Sequence, residues 1–278
     1  MRLPILSRRI GIDLGTSAVR IYVKGEGIVL NESAGTATIH DLIGKAQPRP
    51  RLFRPDVVVS VRSRIPSSER RAVTQEAIAA GARQVWLVDE PLAAAMGAGL
   101  AIAGVRATAI CELGAGTTEV AVISRSGTLA ALSTDVGGRA LDAAIAARFG
   151  LARDEAERLK IEIGSAVTMP EPLTARVGTD EVTSNEIAAA IRAPLEEIAA
   201  MVRLILADLR PPVAAEVRDH GLVLSGGGAR LRGIERFLAE RGGIVTRIAS
   251  EPETSVVRGA ALALENFEVL KRNQTYLR

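Results

Sequence analysis

Residues 12–23 read IDLGTSAVRIYV, and residues 111–122 read CELGAGTTEVAV. Each runs from an apolar strand into an acid, a leucine, a glycine and small residues, then into a second apolar strand. The acids, Asp13 and Glu112, stand 99 positions apart. A repeat of this size predicts two similar α/β halves facing each other. Small residues in such a turn let backbone N–H groups approach a phosphate and cradle its oxygens. An acid at the strand end can hold Mg²⁺, usually through water, because that ion keeps several of its waters. Two such turns from opposite halves would clamp one polyphosphate. Either turn alone is also compatible with a plain β-hairpin; the matched pair favours the phosphate reading. A third glycine element, Ser225-Gly226-Gly227-Gly228, removes side chains where a flat ring or a phosphate would lie against backbone. It matches neither the Walker A nor the GxGxxG pattern.

Outward from the repeat, strands and helices alternate, which argues for α/β architecture. Residues 10–24 read as strand, tight turn, strand. Residues 33–55 lack periodicity and hold Gly35, Gly44, Pro48, Pro50 and Pro55, so they read as a loop or short excursion. DVVVSV (56–61) reads as a strand buried on both faces, and 67–82 as a helix. VWLV (85–88) is a short strand, and 90–101 a helix with Pro91 in its first turn. After strands 107–113 and 118–124, TLAALSTDVG predicts one more strand or two. Helices follow at 139–149 and within 154–166, with a hairpin around Val177–Val182. Thr183 and Glu186 form a capping box opening a helix to about Asp208, bent at Pro194. Strand 221–225, helix 229–240, strand 244–249 and a helix from about Pro252 to Lys271 complete the chain.

The 278 residues suit about two domains of ordinary size. Net charge is +3, carried by 31 Arg against 4 Lys. Acids are interspersed throughout and no basic stripe alternates with aromatics, so no nucleic acid partner is expected. Cys111 is the only cysteine. It excludes an internal disulfide, fits a reducing compartment and reads as a buried small hydrophobe. One Cys and two distant His make a zinc site of those residues improbable. No apolar run is long enough for a transmembrane helix.

Together these segments resemble the actin and sugar-kinase ATPase superfamily, and within it the MreB-like bacterial actins. The resemblance rests on 12–32, 68–100, 112–124, 157–166, 183–187 and 221–238, in family order. It implies an α/β actin-like ATPase fold, two RNase H-like lobes around a cleft holding ATP or ADP with Mg²⁺. Domain I would comprise 1–106 and 258–278, and domain II 107–257, with its small subdomain at about 150–183. By resemblance Asp13, Gly15, Thr16 and Ser17 form the first phosphate turn, and Gly114, Gly116, Thr117 and Thr118 the second. Gly226, Gly227 and Gly228 lie at adenine and ribose, Lys160 and Glu162 contact the nucleoside, and Asp13 and Glu112 hold Mg²⁺ through water. Glu90 matches the acid that positions or activates the attacking water. By its own position Glu90 is equally a first-turn acid favoured by the helix dipole.

Three departures stand out. Glu112 replaces the family's Asp and adds about 1.5 Å of reach at an ion that demands close to ideal geometry, so hydrolysis could be slow or lost while binding persists. Ala115 replaces a glycine, which costs on the order of 1 kcal/mol if the position needs φ > 0. Segment 33–55 is a reduced remnant of the small subdomain of domain I. The resulting expectation is a cytoplasmic, ATP-binding, self-assembling protein, in filaments, serving cell shape or intracellular organisation. The alternative is a nucleotide-binding scaffold that does not hydrolyse. A sugar kinase would need a substrate-binding insertion and a base, for which there is no spare length. Family members often carry an amphipathic N-terminal segment. Here Leu3, Ile5 and Leu6 lie beside Arg2, Arg8 and Arg9, but Pro4 disfavours a helix. Residues 1–9 are thus either a frayed end or a weak contact with the inner face of the cell membrane.

Overall fold

The computed structural model describes residues 8–35, 37–47, 54–102, 104 and 106–264. Contacts divide the chain into two compact units, one of residues 1–105, 123–129 and 254–278, the other of 106–122 and 130–253.

The first unit opens with β1 (Arg9–Leu14), β2 (Ala18–Val23) and β3 (Gly27–Ser33), each antiparallel to the one before. Helix α1 (Ile39–Ala46), β4 (Asp56–Val61), α2 (Ser67–Ala79), β5 (Gln84–Asp89) and α3 (Glu90–Gly97) follow. β4 lies parallel to β1 and β5 parallel to β4, giving the order β3-β2-β1-β4-β5. β4 is buried at all six positions, as its valine-rich run implies.

The second unit is built around β6 (Thr108–Leu113), β7 (Thr118–Ser124) and β8 (Gly127–Thr134), of which residues 123–129 group with the first unit, then α4 (Gly138–Phe149) and α5 (Arg153–Ile163). A two-stranded ribbon, β9 (Thr174–Val177) and β10 (Asp180–Thr183), precedes α6 (Ser184–Ala190), α7 (Arg192–Ala207) and α8 (Pro211–His220). β11 (Leu222–Ser225), α9 (Ile234–Gly242) and β12 (Thr246–Ile248) end it. Its sheet order is β8-β7-β6-β11-β12, with β11 parallel to both β6 and β12. Strand for strand this is the order of the first sheet, so the duplication in the sequence is a duplication of topology.

Helix α10 (Ser255–Ala263) returns to the first unit. It packs against α3 almost backbone to backbone. A Cβ on Gly97 would fall inside the Ser255 carbonyl, and one on Gly259 inside that of Ala93. Against β1, a Cβ on Gly11 would lie 2.9 Å from the Ala261 nitrogen. The apolar core of this unit is on the other face of the sheet, with Ile10, Ile12, Ile21, Val57 and Val59 meeting Leu42, Ile43 and Ala77.

Several elements depart from their expected form. Segment 33–55 holds α1, closed by a capping box in which Thr38 and Asp41 exchange hydrogen bonds. Its buried residues Ile39, Leu42, Ile43 and Ala46 recur at i, i+3, i+4 and i+7, but over only eight residues. The helix expected at 229–240 starts at Ile234, after a 3₁₀ turn at Gly227–Arg230. The bend expected at Pro194 is a break at Ile191, because the proline offers no N–H to the Ala190 carbonyl. Helix 90–101 stops at Gly97. Helix α8, begun by two prolines, had no counterpart in the sequence reading. The expected last helix is present to Ala263, and its stretch from 265 to Lys271 lies outside the described residues, as do residues 1–7.

The α3–α10 contact predicts a sharp asymmetry between glycines. Gly259→Ala must push the two helices apart and is expected to cost about 3 kcal/mol or more. Gly44→Ala, inside α1 with open space around it, is expected to gain about 0.5–1 kcal/mol from helix propensity. Urea unfolding midpoints of the two variants against the parent check both signs.

Candidate functional site

The β1–β2 hairpin carries the first candidate turn. A Cβ on Gly15 would lie 2.7 Å from the Ala18 carbonyl oxygen, so only glycine closes the turn this tightly. Thr16 and Ser17 are exposed at its tip. Asp13, two residues before, is only 4 % exposed. Strand alternation sets it on the face opposite Ile10 and Ile12, between Ser60 of β4 and Arg20 of β2, its register partners. The Ser60 hydroxyl donates to Oδ1 at 3.3 Å, and Arg20 Nη1 donates to Oδ2 at 3.4 Å. Burial outweighs both and pushes the carboxyl up to about 6.

The β6–β7 hairpin repeats this geometry. A Cβ on Gly114 would lie 2.9 Å from the Thr117 carbonyl oxygen, again three residues on, and the Gly114 N–H donates to that carbonyl at 2.9 Å. Thr118 is fully buried, its hydroxyl donating to the Val136 carbonyl at 2.6 Å. Among the described residues Arg64 is the only non-glycine with positive φ. Ala115 therefore needs no left-handed backbone, and the strain considered for its methyl does not arise. Residues 136–139 support the turn from beneath: the Gly138 and Arg139 amides donate to the Gly114 and Ala115 carbonyls at 2.9 and 2.8 Å. A Cβ on Gly137 would meet Gly114 O, Ala115 O and Thr117 N, all at 2.8 Å.

Glu112 and the third glycine element come together here. β11 pairs with β6 so that Ser225 is opposite Glu112. Gly226 (φ +84°) follows, its N–H donating to Pro252 O at 2.8 Å. A Cβ on Gly226 would lie 2.5 Å from Glu112 Oε1, and one on Gly114 3.1 Å from Oε2. The longer acid is thus accommodated between two glycines. Gly228 packs on Leu113, whereas Gly227 is exposed with open space beside its Cα. Beyond the glycines lies a groove of about 460 Å³, floored by Ala229, Leu231, Ile248 and Pro252, with Arg230 and Arg232 among its lining residues.

Lys160 and Glu162 separate, as an i, i+2 pair on a helix must. Lys160 Nζ pairs with buried Asp142 at 2.6 Å and donates to Gly138 O at 3.3 Å. Glu162 is exposed and pairs with Arg158. Glu90 is half-buried in the first turn of α3, where Asp89, the N-cap residue, pairs with Arg70. Among the described residues no three His, Cys, Asp or Glu side chains form a metal cluster. No described helix is long and apolar enough to cross a membrane. Sequence reading missed Arg20, Ser60 and Asp142, whose proximity depends on register and packing. The Gly137-Gly138 pair was visible, as glycines at the start of a helix.

Two expectations follow. Gly226→Ala is expected to destabilise the protein by about 2–3 kcal/mol. Adding Glu112→Asp should rescue little of that, because the added Cβ also strikes the Leu113 carbonyl; thermal melts of the single and double variants check this. For Asp13 the folded state holds its proton more tightly than the unfolded chain. Stability from this group is therefore greatest below about pH 4, falls between about pH 4 and 6, and stays low above, a loss of about 3 kcal/mol in all. Asp13→Asn should remove that loss from the pH profile, measured by urea unfolding without nucleotide or metal.

Comparison with known proteins gives these features a context. The family model for MreB/Mbl protein matches residues 33–272. The cell shape-determining protein MreB of Escherichia coli K12 is 34% identical, with 95% of each chain covered. The cell shape-determining protein Mbl of Bacillus subtilis is 26% identical over 97% of this chain and 99% of its own. The alignment with the former runs over 331 positions, more than the 278 residues present, so this chain is the shorter form. The fold is that of Spiroplasma citri MreB5 bound to AMPPNP, with a TM-score of 0.86 at 23% identity, covering 97% of this chain and 99% of that one. It is also that of the MamK double helical filament, with a TM-score of 0.76 at 18% identity, covering 93% and 99%. Carrying the family's sequence over almost its whole length and an actin-like fold in both units, the chain belongs to the MreB/Mbl family of cell shape-determining proteins.

Proposed function

We propose that this chain binds ATP and ADP with Mg²⁺, assembles with itself into filaments on the nucleotide, and serves cell shape or internal organisation from the cytoplasm. The observation that carries the reading is the paired turn: in both units a glycine is crowded by the carbonyl three residues on, and an acid stands two residues before it. The relatives add support, since MreB5 of Spiroplasma citri has been solved with AMPPNP and with ADP, and MamK as a filament.

Gly15, Thr16 and Ser17 in one unit and Gly114, Gly116, Thr117 and Thr118 in the other are the phosphate-gripping residues. Gly226, Gly227 and Gly228 leave backbone bare beside the groove of Leu231, Ile248 and Pro252, which suits a flat base. Asp13 fits a cation, because its buried carboxylate is only partly compensated by the long contacts with Ser60 and Arg20. With Glu112 it would hold Mg²⁺ through water, and the ion would neutralise phosphate charge there. Glu90 orients water. Lys160 acts on the nucleoside side of the second turn, through the strand of backbone at Gly138.

The wedging of Glu112 between Gly114 and Gly226 favours the second reading for turnover: binding is retained while hydrolysis is slow. Sedimentation is expected to pellet the protein with ATP–Mg²⁺ and leave it in the supernatant without nucleotide. Glu112→Asp is expected to raise phosphate release without weakening ADP binding by more than about threefold. A protein that stays monomeric in every nucleotide state would refute assembly.

A further inference from the structure

Asp13 has a cation within its own repeat, and the second repeat carries an acid at that cation's place. In the first repeat Arg20 is the cross-strand partner of Asp13 in the β1–β2 ladder. At the matching place in the second repeat stands Glu119. Arg20 is largely buried, with its side chain 17% exposed, and its Nη1 is 3.4 Å from Asp13 Oδ2. That is longer than the 2.7–2.9 Å of a well-formed charge-assisted bond. Its Nε is buried with no hydrogen-bond partner. The guanidinium is thus close enough to offset part of the Asp13 charge, with one nitrogen still unpartnered. A guanidinium keeps its charge at every working pH. A divalent ion brought to the same carboxylate meets that charge and gains less from the acid than it would from an unpaired one.

We infer that Arg20 is a built-in counter-cation of the first turn, which takes over part of the divalent ion's role there and makes nucleotide diphosphate binding less dependent on Mg²⁺. This rests on the nucleotide reading given above for the same turn. Arg20 offsets part of the Asp13 charge through Nη1, and its positive charge stands behind the turn to which phosphate is assigned.

The test uses the full chain, with ADP and Mg²⁺ as probes. Calorimetry gives the ADP affinity with Mg²⁺ and with chelator. The ratio of the two affinities is expected to grow by about tenfold in Arg20→Met, and to stay at the parent value in Arg20→Lys, which keeps the charge. Arg20→Gln, which keeps a donor without the charge, is expected to behave as Arg20→Met does and serves if that variant folds poorly. Melts without nucleotide form a second arm. Mg²⁺ alone is expected to raise the midpoint of Arg20→Met or Arg20→Gln by more than it raises that of the parent. Equal Mg²⁺ dependence of parent and neutral variants in both arms overturns the inference. If no protein in the series binds ADP, the nucleotide reading falls while the Mg²⁺ melts still decide the role of Arg20.

Discussion

A carbonyl oxygen under 3 Å from where a side chain would begin is the constraint on which the candidate site depends. It acts at Gly15 against Ala18, at Gly114 against Thr117, and at Gly137 against Gly114 and Ala115. Glycine at these places is required by distance, and for none of the three by a left-handed backbone. The consequence is chemical. A turn closed this tightly brings two strand ends together within four residues and gathers its backbone amides at the tip. Such a tip favours an anion through backbone dipoles alone. The acid two residues before the glycine then stands at the end of the strand, where burial begins.

Strand alternation decides how that acid is buried. Along β1, Ile10 and Ile12 enter the apolar core while Gly11 and Asp13 point the other way, where α10 closes on Gly11. The same parity on β6 sends Ala109, Cys111 and Leu113 into the second core and Glu112 to the opposite face. Each acid is therefore held by a sheet rather than by a loop, with neighbours set by register: Ser60 and Arg20 for Asp13, Ser225 for Glu112. A one-residue slip of either strand would exchange the acid for a core residue. Each carboxylate is thus placed by the register of its own sheet.

The parts of this plan that repeat were legible in the sequence. The two hairpins, the Gly226 turn, β4 and the Thr183–Glu186 box are local signals, written within six or eight residues. The α/β class follows from them. What was not legible depends on pairs distant in the chain. Nothing near Asp13 marks Ser60 as its neighbour, and nothing near Lys160 marks Asp142. Helix α1 was lost for a different reason. Its apolar stripe and its Thr38–Asp41 box are present, but eight residues containing a glycine and followed by prolines read more strongly as loop. The start of α9 moved to Ile234 because Gly233, at φ +70°, ends the preceding turn in a left-handed conformation that a helix cannot include.

The arginine excess acquires a structural meaning in the first unit. A guanidinium has five donors and can serve a charge and a carbonyl at once. Arg8 pairs with Glu26 while donating to Ala46 O, the last residue of α1. Arg83 grips buried Asp56 through two nitrogens, Nε at 2.8 Å from Oδ1 and Nη2 on Oδ2. With Glu76 accepting from the Ile39 amide at the other end, α1 is tied at both termini. That matters because a two-turn helix does not hold its shape by propensity alone. Exposed pairs such as Arg236 with Glu240 contribute little by comparison. Arg20 applies the same chemistry at the site itself, but with a difference. Arg8 and Arg83 each engage two acceptor atoms, whereas Arg20 meets Asp13 through a single long contact. Where the others finish a structure, Arg20 leaves part of its charge unspent beside the turn to which the proposed function assigns phosphate.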